Sequence, residues 1–183
     1  PKDFDEFARG RQLGGATIVL DSSGGSVNDS IALGRKFRGL GALTTVGATV
    51  RTQTPQGERA SVSPEAYCES MCVFLLLSGK TRYVPSVAHV RVHQIWMGDR
   101  ADDAKAASYT AQDLMIVERD IGRLAKYTFD MGGAGGPVME APEAFVTLPP
   151  AKKPMPYLAA NKTIAFLAIA IPTDCTAIAV PTP

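Results

Sequence analysis

The chain has 183 residues, 45% of them hydrophobic and 20% charged, which suffices for one domain with a sizeable core and is too little for two of ordinary size. Nineteen basic side chains against eighteen acidic ones exclude a nucleic-acid footprint or polyanion-binding surface built on bulk charge. The longest uninterrupted apolar run, residues 164–171, is less than half of what a bilayer-spanning helix needs. No signal peptide is visible at Pro1, and the absence of an initiator Met leads us to expect a fragment or a processed product.

In chain order, a helix-like piece is expected around residues 4–9, broken by Gly14-Gly15. Residues 16–20 (Ala-Thr-Ile-Val-Leu) form a short apolar run bounded by turn signals, which suits a buried parallel strand. Asp21-Ser22-Ser23-Gly24-Gly25-Ser26 reads as a tight polar loop. Val27, Ile31, Leu33, Phe37 and Leu40 then recur close to helical spacing, with Ser26 or Asn28 as the cap and Gly39 and Gly41 as the stop. Residues 43–50 are expected as a second strand, 51–64 as a polar loop with two prolines, 69–78 as a short apolar helix stopped by Gly79, and 84–92 as a third strand interrupted near Pro85. A long amphipathic helix over residues 102–131 follows, with Leu114, Val117, Ile121, Leu124 and Phe129 among its apolar positions. Residues 132–183 are rich in Pro and Ala and weakly patterned; Tyr157-Leu158 and residues 164–171 are the pieces there expected to add a strand or short helix. Alternation of strand and helix implies an α/β fold with a mainly parallel sheet flanked by helices, in a single domain over residues 1–183 whose core lies in about 14–131.

Three segments carry chemistry together. The glycine-rich turn at 21–26 follows a buried strand and precedes a helix, where glycines let backbone N–H groups approach a ligand. It has neither the Gly-x-Gly-x-x-Gly spacing nor the Gly-Lys-Ser/Thr of a nucleotide site. Ser70 stands at the entrance of an apolar helix, where unpaired N–H groups and the dipole favour developing negative charge. His93 ends a strand on which His89, Arg91 and His93 share one face and Val90 and Val92 the other. A plain helix cap and a structural strand histidine are the ordinary readings of those two residues taken singly. With a base in reach and an oxyanion site beside it, the serine reads instead as a candidate nucleophile.

In this order the segments resemble the Clp protease proteolytic subunit, within the wider crotonase-type superfamily of ββα repeats. There a strand ends in Ser-Pro-Gly-Gly-Ser, a Ser-Met pair opens an apolar helix, and a strand closes with His-Gln-Pro. This chain has Ser22-Ser23-Gly24-Gly25-Ser26, Ser70-Met71 and His93-Gln94-Ile95. Residues 74–82 also resemble the family's helix with its Gly-Lys-Arg exit, so the likeness covers about 16–96. A closer resemblance is to uncharacterised exported bacterial members with Cys-x-Ser-x-Cys around the serine, here Cys68-Glu69-Ser70-Met71-Cys72. The resemblance implies a serine peptidase acting on a peptide or protein. Ser70 is then the nucleophile, His93 the general base, and the backbone N–H groups of Gly25 and Met71 the oxyanion hole. It further implies an exported or periplasmic location, self-association into a homo-oligomer, and no cofactor or metal. The family's acidic triad member precedes an aromatic-Leu-Ser-type turn. The matching turn here is Tyr157-Leu158-Ala159-Ala160, and residues 151–156 hold no Asp or Glu. The remaining acid candidates are Glu143, Glu140 and Asp99, and the family's turn proline is replaced by Ser23.

Other readings of the same residues stay open. Cys68, Cys72, His89 and His93 have the composition of a two-Cys, two-His zinc set. Cys68 and Cys72 are equally a disulfide candidate in an exported protein, or two buried thiols. Trp96 and Met97 are candidates to line a groove, Arg82 and Arg91 to serve local ion pairing, and Asp102 and Asp103 to supply helix N-terminal charge. A non-catalytic binding module of the same architecture and a crotonase-type acyl-CoA enzyme, which uses paired oxyanion N–H groups without the serine and histidine, are the competing functions.

Overall fold

The computed structural model describes residues 1–93, 95, 97, 108–132, 144–145, 169–171 and 175–180. After α1 (Lys2–Ala8), the chain forms β1 (Thr17–Ser22), α2 (Val27–Gly39), β2 (Leu43–Val46), the hairpin β3 (Ala48–Thr54) and β4 (Gly57–Ser63), and β5 (Tyr67–Glu69). It continues as α3 (Met71–Ser78), β6 (Thr81–Tyr83), β7 (His89–Val92) and α4 (Ala111–Asp130). Three further strands are β8 (Ala144–Phe145), β9 (Ile169–Ile171) and β10 (Cys175–Val180).

The result is an α/β architecture whose five central strands lie parallel in the order β6-β2-β1-β5-β7. β8 adds antiparallel to β7, and β10 runs antiparallel along β1 and carries β9. Among the described residues four helices accompany the sheet, and none is long and apolar enough to cross a membrane.

Two apolar clusters organise the molecule. The larger joins Ile18 and Leu20 of β1, Leu33 and Phe37 of α2, Cys68 of β5, Leu75 and Leu76 of α3, and Val90 and Val92 of β7. The smaller joins Met71 and Phe74 of α3 to Leu124, Tyr127 and Met131, with Ile95 packed against it. α3 thus lies between the two, and every residue of it except Leu77 is buried. Its exit is pinned by side chains on successive carbonyls. Tyr127 Oη donates to Phe74 O at 2.9 Å, Ser78 Oγ to Leu75 O at 2.6 Å, Thr44 Oγ1 to Leu76 O at 2.6 Å and an Arg38 guanidinium to Leu77 O at 3.1 Å. Those on Leu75 O and Leu77 O satisfy carbonyls of the last turn, which a helix end leaves without partners.

Four expectations are corrected. The second strand stops at Val46. Gly47 follows, its amide still on Leu20 O at 2.9 Å, in a place where a Cβ would stand 2.6 Å from Val62 Cγ1 and 3.2 Å from Val19 Cγ1. The region expected as a polar loop over 51–64 is instead most of the β3–β4 hairpin, registered from Ala48↔Ser63 to Thr54↔Gly57 around the two-residue turn 55–56. Its alternating Thr and Val residues are strand formers, but both faces are largely exposed, so no apolar stripe marked them. The third strand is two, β6 and β7, with Pro85 in the connection. The long helix starts at Ala111, since residues 108–110 are not helical. Thr110 accepts from the Asp113 amide at 3.2 Å while the Asp113 carboxylate accepts from the Thr110 amide at 2.9 Å, a capping box.

Candidate active site

β1 pairs in parallel with β2 over Thr17–Leu20 and with β5 at Ser22, so both runs of the sheet meet at its carboxyl end. In open α/β sheets ligands bind in the crevice beyond the carboxyl ends of the strands. Three of the sequence's candidate segments leave the sheet there.

The first is the turn after β1. Ser22 is buried, and its Oγ accepts from the Gly24 amide at 3.1 Å, which folds the chain back over the strand end. Ser26 caps α2 by accepting from the Asp29 amide at 3.3 Å. Gly24 lies at φ +128°, and a Cβ placed on it would be 2.6 Å from Ser70 Cβ and 3.0 Å from Ser70 Oγ. No other residue fits that approach. Gly24 was not singled out from sequence, where Gly25 took the role; the adjacent glycine pair was the available signal. Gly25, exposed and at φ +149°, follows it.

The second is the β5–α3 junction. Ser22 pairs with Cys68, and Tyr67, Cys68 and Glu69 pair with His89, Val90 and Arg91. The Ser70 amide extends this ladder by donating to Arg91 O at 2.8 Å. Ser70 then takes φ +54°, ψ −124°, the one positive φ at a non-glycine among the described residues. Such a conformation costs about 1–3 kcal/mol and persists where its surroundings over-determine it. Burial of the apolar side chains of α3, each contributing about 1.5–3 kcal/mol, exceeds that cost severalfold. The turn ends strand alternation at Ser70 and delivers its side chain to Gly24. Its hydroxyl makes no capping bond to α3, so the helix does not use it. Met71 opens the helix, with its side chain buried and its N–H in the first turn, where amides have no intrahelical acceptor.

The third is the end of β7. His93 follows Val92 directly and is half-buried. Val92 belongs to the larger apolar cluster and Ile95 packs on the smaller one. Ser70 stands at the same crossing, between Cys68 of the larger cluster and Met71 of the smaller. Both residues therefore sit at the seam between the two clusters, at the carboxyl ends of neighbouring strands. Parallel neighbours lie about 4.8 Å apart.

Polar and aromatic pairs surround these strand ends. Glu69 and Arg91 form an ion pair at 3.3 Å, the role expected for Arg91. Arg82 instead donates to Gly79 O and Met131 O. Tyr67 stacks on His89 with ring centroids 4.8 Å apart, and the Tyr67 amide donates to Asp21 Oδ1 at 3.1 Å. Cys68 and Cys72 are joined by a disulfide. Both thiols are consumed by that bond, which corrects the zinc reading. The acid candidates Asp99, Glu140 and Glu143 lie outside the described residues, as do Gln94, Trp96, Asp102, Asp103 and Tyr157-Leu158; Met97 is half-buried.

No family profile, no curated protein and no solved structure matches this chain.

Proposed function

We propose that the protein is a serine hydrolase, and more particularly a peptidase of the Clp protease and crotonase-type architecture. Ser70 Oγ attacks the acyl carbonyl and His93 takes its proton. His93 then returns that proton to the leaving amine as the C–N bond breaks, and water releases the acyl group from Ser70 by the reverse sequence. The N–H groups of Gly25 and Met71 hold the oxyanion, each such donor contributing about 3–4 kcal/mol in the transition state. The observation that carries the reading is Ser70 itself. It is a serine of strained backbone at a helix N-terminus whose hydroxyl makes no capping bond to that helix, pressed on the Gly24 turn, with its amide bonded two residues before His93. A serine that merely capped its helix would hold an ordinary φ and bond the helix amides. The same reading carries the expectations of an exported protein and a homo-oligomer.

A fluorophosphonate probe tests it. Ser70 Oγ bonds phosphorus, fluoride leaves, and His93 accepts the hydroxyl proton. Labelling is expected in the wild type, abolished in Ser70→Ala and slowed about 10²–10⁴-fold in His93→Ala. Folded protein that resists high probe concentrations overturns the reading. The sequence feature favouring the alternative, a binding module without chemistry, is the lack of an acid in residues 151–156; orientation of an imidazole by such an acid is worth about 10⁴-fold.

A further inference from the structure

We infer that the Cys68–Cys72 disulfide is a positioning element for Ser70, an inference that rests on the hydrolase reading. Cys68 lies in β5 and Cys72 in the first turn of α3, so the bond spans the strand-to-helix junction with Ser70 midway. Four residues of extended chain would separate the two Cα atoms by about 13 Å; here they are 5.2 Å apart. The reversal at Ser70 makes that approach, and the crosslink keeps it. Relaxation of Ser70 into the ordinary extended region would carry Cys72 away from Cys68, a path the bond closes.

Three other restraints hold the serine: Arg91 O on its amide, Gly24 against its side chain, and the Val73 amide, which donates to Ser70 O at 3.2 Å. The disulfide is the covalent restraint on the junction. Cys68 also pairs with Ser22 of β1 and Val90 of β7. The bond therefore ties the first turn of α3 to the strand lying between the glycine turn and the histidine. Both cysteines are buried, at 0% and 1% exposure, which shields the bond from exchanging thiols. It is a standing clamp rather than a switch.

The test compares bridged and unbridged protein. The Cys68→Ala/Cys72→Ala variant removes the bond. Wild-type chain refolded with a phosphine removes it while keeping every side chain: the disulfide, one phosphine and one water give two thiols and the phosphine oxide. Expected in both is a maximal fluorophosphonate labelling rate lower by about tenfold or more. The half-saturating probe concentration is unchanged, the near-ultraviolet circular dichroism stays native, and hydrogen exchange at the Ser70 amide is faster. Equal labelling rates overturn the proposal. Failure of both unbridged forms to fold also overturns it, because the bond then serves the whole fold. If the bridged protein is itself unlabelled, the hydrolase reading falls separately; unchanged Ser70 amide protection on loss of the bond then sinks the clamp.

Discussion

Gly24 and Gly34 each make room for a hydroxyl-bearing side chain, and they do so to different ends. At the strand ends, Gly24 makes room for Ser70. In the helical layer, Gly34 of α2 makes room for Tyr127 of α4, where a Cβ would stand 1.8 Å from the phenolic oxygen and 3.2 Å from Ser78 Cβ. The Tyr127 ring is fully buried and its hydroxyl is committed to Phe74 O. Ser70 is half-buried, strained in its backbone, and its hydroxyl accepts from no amide of α3. Buried hydroxyls normally find partners, and a committed one contributes to stability. One on a strained backbone and kept out of the helix cap is consistent with the proposed nucleophile. The two junctions sit at opposite ends of α3, so the Tyr127 end anchors the helix that presents Ser70.

The largest separation between the two comes from adding one methyl group at each. Gly24→Ala forces a Cβ against Ser70 from a backbone at φ +128°. It is expected to cut fluorophosphonate labelling about 100-fold or more, the scale of a displaced reacting group, and to cost about 1–3 kcal/mol of stability by overpacking. Unaltered labelling would show that the Gly24–Ser70 approach has no part in the chemistry. Gly34→Ala should cost a similar 1–3 kcal/mol, toward the upper end because the clash falls on a buried aromatic ring. Folded Gly34→Ala protein should keep its labelling rate. Denaturant titration of the Gly34→Ala/Tyr127→Phe double variant should show less than additive loss, since removing the phenolic oxygen relieves the shortest contact. Full additivity would mean that the two residues do not meet.

That asymmetry explains what sequence alone conveyed. Residues 16–20 and 69–78 announced themselves through apolar runs and bounding turn signals, and Ser70 and His93 through their place in an ordered set of motifs. Gly24 did not, because a close approach between residues 46 positions apart leaves no local pattern. Tyr127 was hidden in an amphipathic stripe that located the helix but not the partner of its hydroxyl. The β3–β4 hairpin was hidden because its exposed faces give polar residues no cost. The start of α4 was misplaced because Asp102 and Asp103 are as good a first-turn signal as Thr110 with Asp113, and only the hydrogen bonds choose between them.

The smallest expected effect sharpens the comparison on the helical side. Burial pushes the Tyr127 hydroxyl well above its ordinary value, against the opposing pull of Ser78, Arg38, Arg35 and Arg82. The unfolded chain loses this proton near pH 10.0, while the folded chain holds it to higher pH. Below about pH 10 both states are protonated and the contribution to stability is fully present. As pH rises further the unfolded state ionises first, and the contribution is lost. Tyr127→Phe removes both the hydroxyl and its titration. It is expected to cost about 1 kcal/mol at neutral pH, one hydrogen bond to Phe74 O, and to flatten the alkaline fall in stability relative to wild type. Chemical denaturation at pH 7 and at several values above 10 measures both. Parallel alkaline slopes in the two proteins would place the phenol in solvent-like surroundings and remove the contrast with Ser70, whereas converging curves would confirm that the buried hydroxyl serves the fold.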